Sequence, residues 1–185
     1  IGYSGLSKAL EALTDKLDAE IHWQPFELNP DMGAEGQNLR EHLQQKYGSS
    51  DEESKANRER ITQMGAQLGF TFNFKDESRI VNTFNAHQLL HWVGETQPGP
   101  KQSELKLALF TAHFTDGRDV SKVDELVTIA ASVGLDADEA RTVLTEQRFA
   151  ADVRANEQQW QEAGIHSVPA VILNQQYLLS GGQPP

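Results

Sequence analysis

The order of hydrophobic patterns along the chain is the feature that most limits its fold. A long run of helical patterns between residues 39 and 147 separates two short segments that each combine helix and strand patterns. Neither short segment has enough strands to form a stable sheet by itself, so the two must combine. The helical run must then pack against the sheet that they build. We therefore predict an α/β fold with a large all-helical insertion.

Each segment gives a more detailed expectation. Before the insertion, leucines at helical spacing predict a helix over about residues 4–19, and alternation predicts a strand over 21–28 that runs out into a proline-containing loop. After it, residues 149–163 predict a helix, 168–173 a buried strand and 177–179 its hairpin partner. Residues 70–74 fit either a short strand or an extended hydrophobic plug. The remaining helical patterns cover about 39–47, 50–68, 80–94, 102–114, 121–133 and 137–147.

Charge and cysteine content exclude several classes of function. Sixteen Lys and Arg against 27 Asp and Glu give a net charge of −11, and an acidic surface repels phosphate backbones and anionic head groups. We therefore expect neither a nucleic-acid nor a membrane partner, and no apolar run approaches the ~18 residues of a membrane span. The 185 residues contain no cysteine, which excludes a disulfide scaffold, a thiolate zinc site and a cysteine nucleophile within them.

Two histidines and a glutamate are the only residues whose spacing suggests a metal site. His87, His91 and Glu95 follow one another at four-residue intervals and share one side of the predicted 80–94 helix, where neutral imidazoles can bind zinc. However, there is no His-Glu-x-x-His motif and no obvious fourth ligand. The pattern favours a packing face with two hydrogen-bonded histidines, and we predict no metal.

Pro169 stands at the start of the most apolar strand pattern, directly after the residues 164–168. Its position alone allows two interpretations. A proline is tolerated there because the first residue of a strand needs no ladder donor. Alternatively, a cis peptide bond between Val168 and Pro169 presents the backbone of Ser167 and Val168 to a ligand.

Motifs in five parts of the chain match one known family in the same order. They are Pro25-Phe26-Glu27-Leu28-Asn29-Pro30-Asp31; Asn82-Thr83 with Ala86-His87; Ala112-His113-Phe114 with Gly117, Asp119, Val120, Ala130 and Gly134-Leu135-Asp136; Gly164-Ile165-His166-Ser167-Val168-Pro169; and Ser180-Gly181-Gly182-Gln183-Pro184. Together they resemble the DsbA family of thioredoxin-fold oxidoreductases, in its FrnE-like branch. The resemblance covers nearly the whole chain.

The resemblance implies a thioredoxin-like fold divided into three parts. Residues 1–38 correspond to the first thioredoxin-fold part, 39–147 to the helical insertion, and 148–185 to the second part with the cis-proline loop and a strand hairpin. The family's Cys-Pro-Trp-Cys motif lies immediately before a segment similar to the one that begins at Ile1. We therefore expect the first strand and the catalytic cysteines upstream of Ile1, the final helix downstream, and no thiol activity from these 185 residues alone.

The resemblance also implies where a substrate binds. The loop of Ser167, Val168 and Pro169 is expected to bind the substrate backbone and to face the N-terminus of the first helix. The two-sided pattern of the 80–94 helix adds a groove with Phe26, Phe84 and His87 near its wall, together with Trp92. The expected substrate is a thiol- or disulfide-containing protein or small molecule, and no cofactor is required.

Two alternatives to disulfide exchange stay open. The related 2-hydroxychromene-2-carboxylate isomerases and kappa-class glutathione transferases share the fold and insertion, use a serine in place of the first cysteine, and bind glutathione. A redox-inactive thioredoxin-fold binding module is the third class, and it agrees with the absence of cysteine. The expected location is the cytoplasm. The residues directly upstream of Ile1 distinguish the three classes.

Overall fold

A computed structural model describes residues 1–97 and 99–183. The elements follow in the order α1 (Gly2–Ala12), β1 (Gln37–Asn38), α2 (Leu39–Tyr47), α3 (Asp51–Gln67), β2 (Arg79–Ile80), α4 (Phe84–Thr96), α5 (Lys101–Phe110), a π-helical turn (Thr111–Thr115), α6 (Val123–Ser132), α7 (Ala137–Thr145), α8 (Ala150–Glu162), β3 (Ala170–Leu173) and β4 (Tyr177–Ser180). Pro184, the last residue of the closing motif, lies outside the described residues. Among these residues, no helix combines the length and apolarity that a membrane crossing requires.

The main hydrophobic core lies between α4, α5, α6 and α7. Each of these helices packs on the next one along the chain, and α4 also contacts α7 and α8. A single apolar interior therefore forms mainly between helices that are neighbours in the sequence. Leu89, Leu105 and Leu126 are completely buried there. Trp92 belongs to this core as well, with 4% exposure, so our placement of Trp92 near a groove wall was wrong. Its side of α4 is covered by the other helices of the bundle.

A second layer, formed by α2 and α3, lies beside the short β1–β2 ladder. Ser50 and Glu53 cap the start of α3 reciprocally: the Ser50 N–H donates to Glu53 Oε2 at 2.9 Å and the Glu53 N–H to Ser50 Oγ at 3.2 Å. Residues 70–74 form neither a strand nor a helix. Phe72 packs on Phe70 and Phe114, with ring centroids 4.9 and 5.4 Å apart. This segment is therefore a hydrophobic plug that joins α3 to the end of α5.

The N-terminal region departs from two expectations. The first helix ends at Ala12 instead of near residue 19, and Leu13 and Leu17 remain 36% and 43% exposed because nothing among the described residues covers them. Residues 21–28 form no strand. The side chain of Gln102 on α5 replaces the strand partner: the Trp23 N–H donates to Gln102 Oε1 at 2.9 Å, and Gln102 Nε2 donates to the Trp23 carbonyl at 3.2 Å.

The C-terminal hairpin pairs β3 with β4 in antiparallel register, with Ala170 opposite Ser180 and Leu173 opposite Tyr177. We expected a buried strand here. The strand exists from Ala170 onwards, but its first two residues are half-buried and its last two are exposed. The only strand that pairs with it among the described residues is β4, which is itself exposed along its length.

Candidate functional site

The start of α1 lies directly against Pro169. A Cβ atom built on Gly2 would come within 2.8 Å of both Cβ and Cγ of Pro169, so only a glycine allows this approach. The first turn of α1 contains no acidic residue, and no side chain caps it. The N-terminus of this helix therefore presents its unpaired amides and the positive end of its dipole beside the proline, without an opposing carboxylate.

The loop that leads to Pro169 is anchored at both ends and open between them. Buried Ile165 donates its N–H to the Trp160 carbonyl at 2.9 Å, and the Pro169 carbonyl accepts from the Gly181 N–H at 2.8 Å. The Val168–Pro169 peptide bond is cis. Ser167 and Val168 are exposed, and within residues 1–97 and 99–183 no hydrogen bond uses their backbone groups. Those groups are therefore available to a ligand at the start of α1.

An aromatic pair connects the first turn of α1 to α5. The ring of Tyr3 lies 5.1 Å from that of Trp23, and Trp23 meets Phe110 edge-on at 6.2 Å. The indole Nε1–H of Trp23 donates to Ser103 Oγ at 2.9 Å. Together with the two backbone bonds to Gln102, these contacts hold Trp23 along one face of α5 and against α1.

Lys106 lies on the same face of α5 and is half-buried. Its Nζ lies 4.9 Å from the centroid of the Phe110 ring and 5.4 Å from that of Trp23. Burial lowers the pKa of Lys106 to about 8. Among the described residues, no ion pair and no hydrogen bond to its ammonium occurs. The aromatic faces are thus its only partners there.

His87 on α4 is buried in the neighbourhood of both Lys106 and Phe26, since both act on its pKa. It is 8% exposed, and it is the backbone of Phe26 that lies near enough to act on its pKa. Burial lowers the pKa of His87 to about 3, and the charge of Lys106 acts in the same direction. The imidazole is therefore neutral in the folded protein at neutral pH.

Glu27 and Glu157 share a single guanidinium group. Arg154 Nη1 donates to Glu27 Oε2 and, at 2.8 Å, to Glu157 Oε2. The carboxylate side chains are only 2% and 8% exposed, whereas that of Arg154 is 48% exposed and lies over the Phe84 ring at 4.0 Å. Burial raises the pKa of Glu27, and the negative charge of Glu157 adds to this rise while the bond from Arg154 opposes it. The cluster ties the loop of Glu27 to α8.

The predicted site residues form two groups. Ser167, Val168 and Pro169 lie together at the start of α1, where the sequence analysis expected them. The backbone of Phe26 lies near His87 and acts on its pKa, and Phe84 lies under Arg154. Trp23 contacts both Tyr3, in the first turn of α1, and Lys106. The charge of Lys106 in turn acts on His87 of the second group.

Sequence reasoning missed Trp23, Lys106 and the Glu27–Arg154–Glu157 cluster. The spacing of Lys106 and Phe110, four residues apart and therefore on one face of α5, was the signal that could have drawn attention to a cation beside aromatic rings. Of the zinc candidates, His87 is buried, His91 is half-buried with its ring 5.4 Å from that of Phe149, and Glu95 is exposed.

Comparison with known proteins identifies the family. The model of the DSBA-like thioredoxin domain family matches residues 2–185. The chain therefore belongs to this family and has its thioredoxin fold, in which the helical bundle is the large insertion.

Two known proteins are similar to this chain. A crystal structure of a probable DsbA oxidoreductase from Streptomyces coelicolor superposes with a TM-score of 0.90 and 32% sequence identity, over 99% of this chain and 78% of that one. The uncharacterized protein YwbO of Bacillus subtilis (strain 168) is 28% identical over 165 residues, which are 88% of this chain and 76% of the relative.

Proposed function

We propose that the intact protein is a DsbA-like thiol–disulfide oxidoreductase, as the FrnE-like motifs suggest, and that its Cys-x-x-Cys pair directly precedes Ile1. The observation that carries this proposal is the contact of Pro169 with Gly2, which puts the exposed backbone of Ser167 and Val168 beside the start of α1. The similarity to a probable DsbA oxidoreductase supports the same reaction class.

The helix start favours the attacking form of a cysteine. Because a thiolate at a helix N-terminus is stabilised by the dipole, and the first turn of α1 has no acidic residue, the thiol pKa should lie below the ~8.5 of a free cysteine. Within the proposal, Ser167 and Val168 hold the substrate chain through their free backbone donors and acceptors, in line with the helix start.

The reaction then proceeds by two exchanges. The thiolate attacks one sulfur of a substrate disulfide, forming a mixed disulfide and releasing the other substrate sulfur as a thiolate. The second cysteine attacks the mixed disulfide and releases the remaining substrate thiol. The substrate disulfide is thereby reduced to two thiols and the enzyme pair is oxidised; the reverse sequence oxidises a substrate dithiol.

The test uses the full-length protein in two parallel assays. Insulin reduction and mixed-disulfide trapping should both succeed, and the pH dependence of alkylation should report a thiol pKa below ~8.5. The second assay measures glutathione-dependent isomerisation of 2-hydroxychromene-2-carboxylate. Turnover in this assay alone would favour the isomerase or transferase class, and inactivity in both would favour a redox-inactive binding module.

A further inference from the structure

Lys106 is a cation for which the described part of the chain supplies no counter-ion. The groups that act on the charge of neighbouring His87 are Lys106 itself and Arg154, both positive, and His87 is neutral. Burial is the only cause of the lowered pKa of Lys106, and no carboxylate acts to raise that pKa. A half-buried ammonium held only by ring faces has lost hydration without gaining an anion.

The carboxylates of the elements packed around Lys106 are directed elsewhere. Glu104 on α5 pairs with Lys101 at 2.5 Å, Glu20 before Trp23 pairs with His22 at 3.4 Å, and Glu11 on α1 accepts from Ser7 at 3.5 Å. Glu95 on α4 is exposed, and Glu27 and Glu157 are bound to Arg154. Lys16 and Lys75 also lack an ion pair among the described residues, but both are exposed to solvent, whereas Lys106 is half-buried.

Its position relates it to the proposed reaction. Trp23 contacts both Tyr3, in the first turn of α1, and Lys106. Two aromatic side chains, those of Trp23 and Tyr3, therefore connect the ammonium to the helix start that Pro169 touches. A substrate whose sulfur lies at that helix start would have to extend its charged group past both rings, which lie 5.1 Å apart, to reach Lys106, 5.4 Å from the Trp23 ring.

We propose that Lys106 is the specificity-determining residue of this site, and that it binds a carboxylate carried by the thiol or disulfide substrate. This inference rests on the proposed function. The substrate class is an acidic thiol or disulfide, in which a carboxylate accompanies the reacting sulfur. The bound carboxylate replaces the hydration that the ammonium loses on folding, and the rings of Trp23 and Phe110 align the ammonium toward it.

The first experiment measures binding without any thiol chemistry. The ¹³Cε resonance of Lys106, assigned by its loss in Lys106→Met, is followed through a pH titration with propionate or with the neutral propionamide. Propionate should raise the pKa of Lys106 from about 8, and propionamide should leave it unchanged. An equal response to both compounds, or a response to neither, would overturn the proposal.

The second experiment measures selectivity in the full-length protein. For 3,3′-dithiodipropionate, Lys106→Met should lower kcat/KM by roughly 10-fold or more, as expected for the loss of a charged hydrogen bond, and Lys106→Arg should retain most of it. The neutral diamide should react equally with the wild type, Lys106→Met and Lys106→Arg. Lys16→Met, which removes an exposed lysine of the same charge, is the matched control. Equal losses for the acid and the diamide would show a purely structural role.

A third measurement separates the two possible sources of the anion. If the pKa of Lys106 responds to reduction of the full-length protein but not to propionate, the anion is the protein's own thiolate and the proposal fails. If the full-length protein exchanges no disulfide at all, the proposed function fails, while the propionate titration still decides whether Lys106 binds carboxylates.

Discussion

The strands of the β3–β4 hairpin are more apolar in sequence than the helices of the α4–α7 bundle, yet the hairpin is the less covered of the two regions. Leu105 and Leu126 in the bundle are completely buried, whereas Ile172 and Leu178 in the hairpin are 38% and 47% exposed. Each helix of the bundle packs on its neighbour in the sequence. The hairpin, in contrast, holds the Pro169 loop through the bond from the Gly181 N–H to the Pro169 carbonyl. Apolar composition therefore indicates regular structure in both regions, but it indicates a core in only one.

Truncation of a buried leucine is the strongest way to test this difference. Leu105→Ala should lower the free energy of unfolding by about 2–5 kcal/mol, because it leaves a cavity in a packed interior. Leu178→Ala, at an exposed position of the hairpin, should change it by no more than about 0.5 kcal/mol. Urea unfolding of both variants measures the two values. Comparable losses would show that the hairpin is covered in solution.

The contact between the bundle and the loop after Trp23 should respond to pH through His87. Because folding lowers the pKa of His87 to about 3, the unfolded chain binds a proton below pH 6.5 that the folded protein does not. Stability is therefore full above pH 6.5 and is lost as the pH falls toward 3. At pH 4.5 this histidine should account for a loss of about 2–3 kcal/mol relative to pH 7.5.

The measurement compares urea unfolding of the wild type and His87→Gln at both pH values. The variant should lose less stability on acidification, and His22→Gln, at an exposed histidine, should behave like the wild type. An identical pH dependence for the wild type and His87→Gln would mean that His87 is not buried as a neutral group.

The contact between α1 and the Pro169 loop gives the smallest expected effect on stability. Gly2→Ala adds a Cβ only 2.8 Å from the proline ring, which should cost about 1–2 kcal/mol and displace the loop. Amide hydrogen exchange of Gly181, whose N–H binds the Pro169 carbonyl, should become faster. Gly33→Ala, where the added Cβ meets nothing within 4 Å, is the control; equal exchange in both variants would contradict the contact.

Local patterns predicted the helices of the bundle well, because their apolar spacing matches the surface that they bury. The same reasoning failed for residues 21–28, where the backbone bonds of Trp23 go to the side chain of Gln102, 79 residues away. Alternating apolar residues indicate an extended chain, but they do not reveal which group will accept its hydrogen bonds.

The candidate site was predictable in part. The position of Pro169 at a strand start, together with the family motifs, located the loop and its cis bond. Lys106 was not identified from the sequence, because it differs from other lysines in being half-buried without a carboxylate nearby. That environment is determined only by the packing of several distant segments. Arg154 was missed for a related reason: its two carboxylates lie three and 127 positions away in the sequence.

The Glu27–Arg154–Glu157 cluster also restricts how the chain can diverge. A lysine at position 154 would lose the stacking of the planar guanidinium on Phe84, which also orients Nη1, the atom that donates to both carboxylates. Loss of Arg154 alone would leave two buried carboxylates without a counter-charge, so the acceptable replacements are joint ones. Among descendants of this sequence, positions 27, 154 and 157 should therefore change together. A replacement in the loop of Glu27 should be accompanied by a compensating replacement in α8.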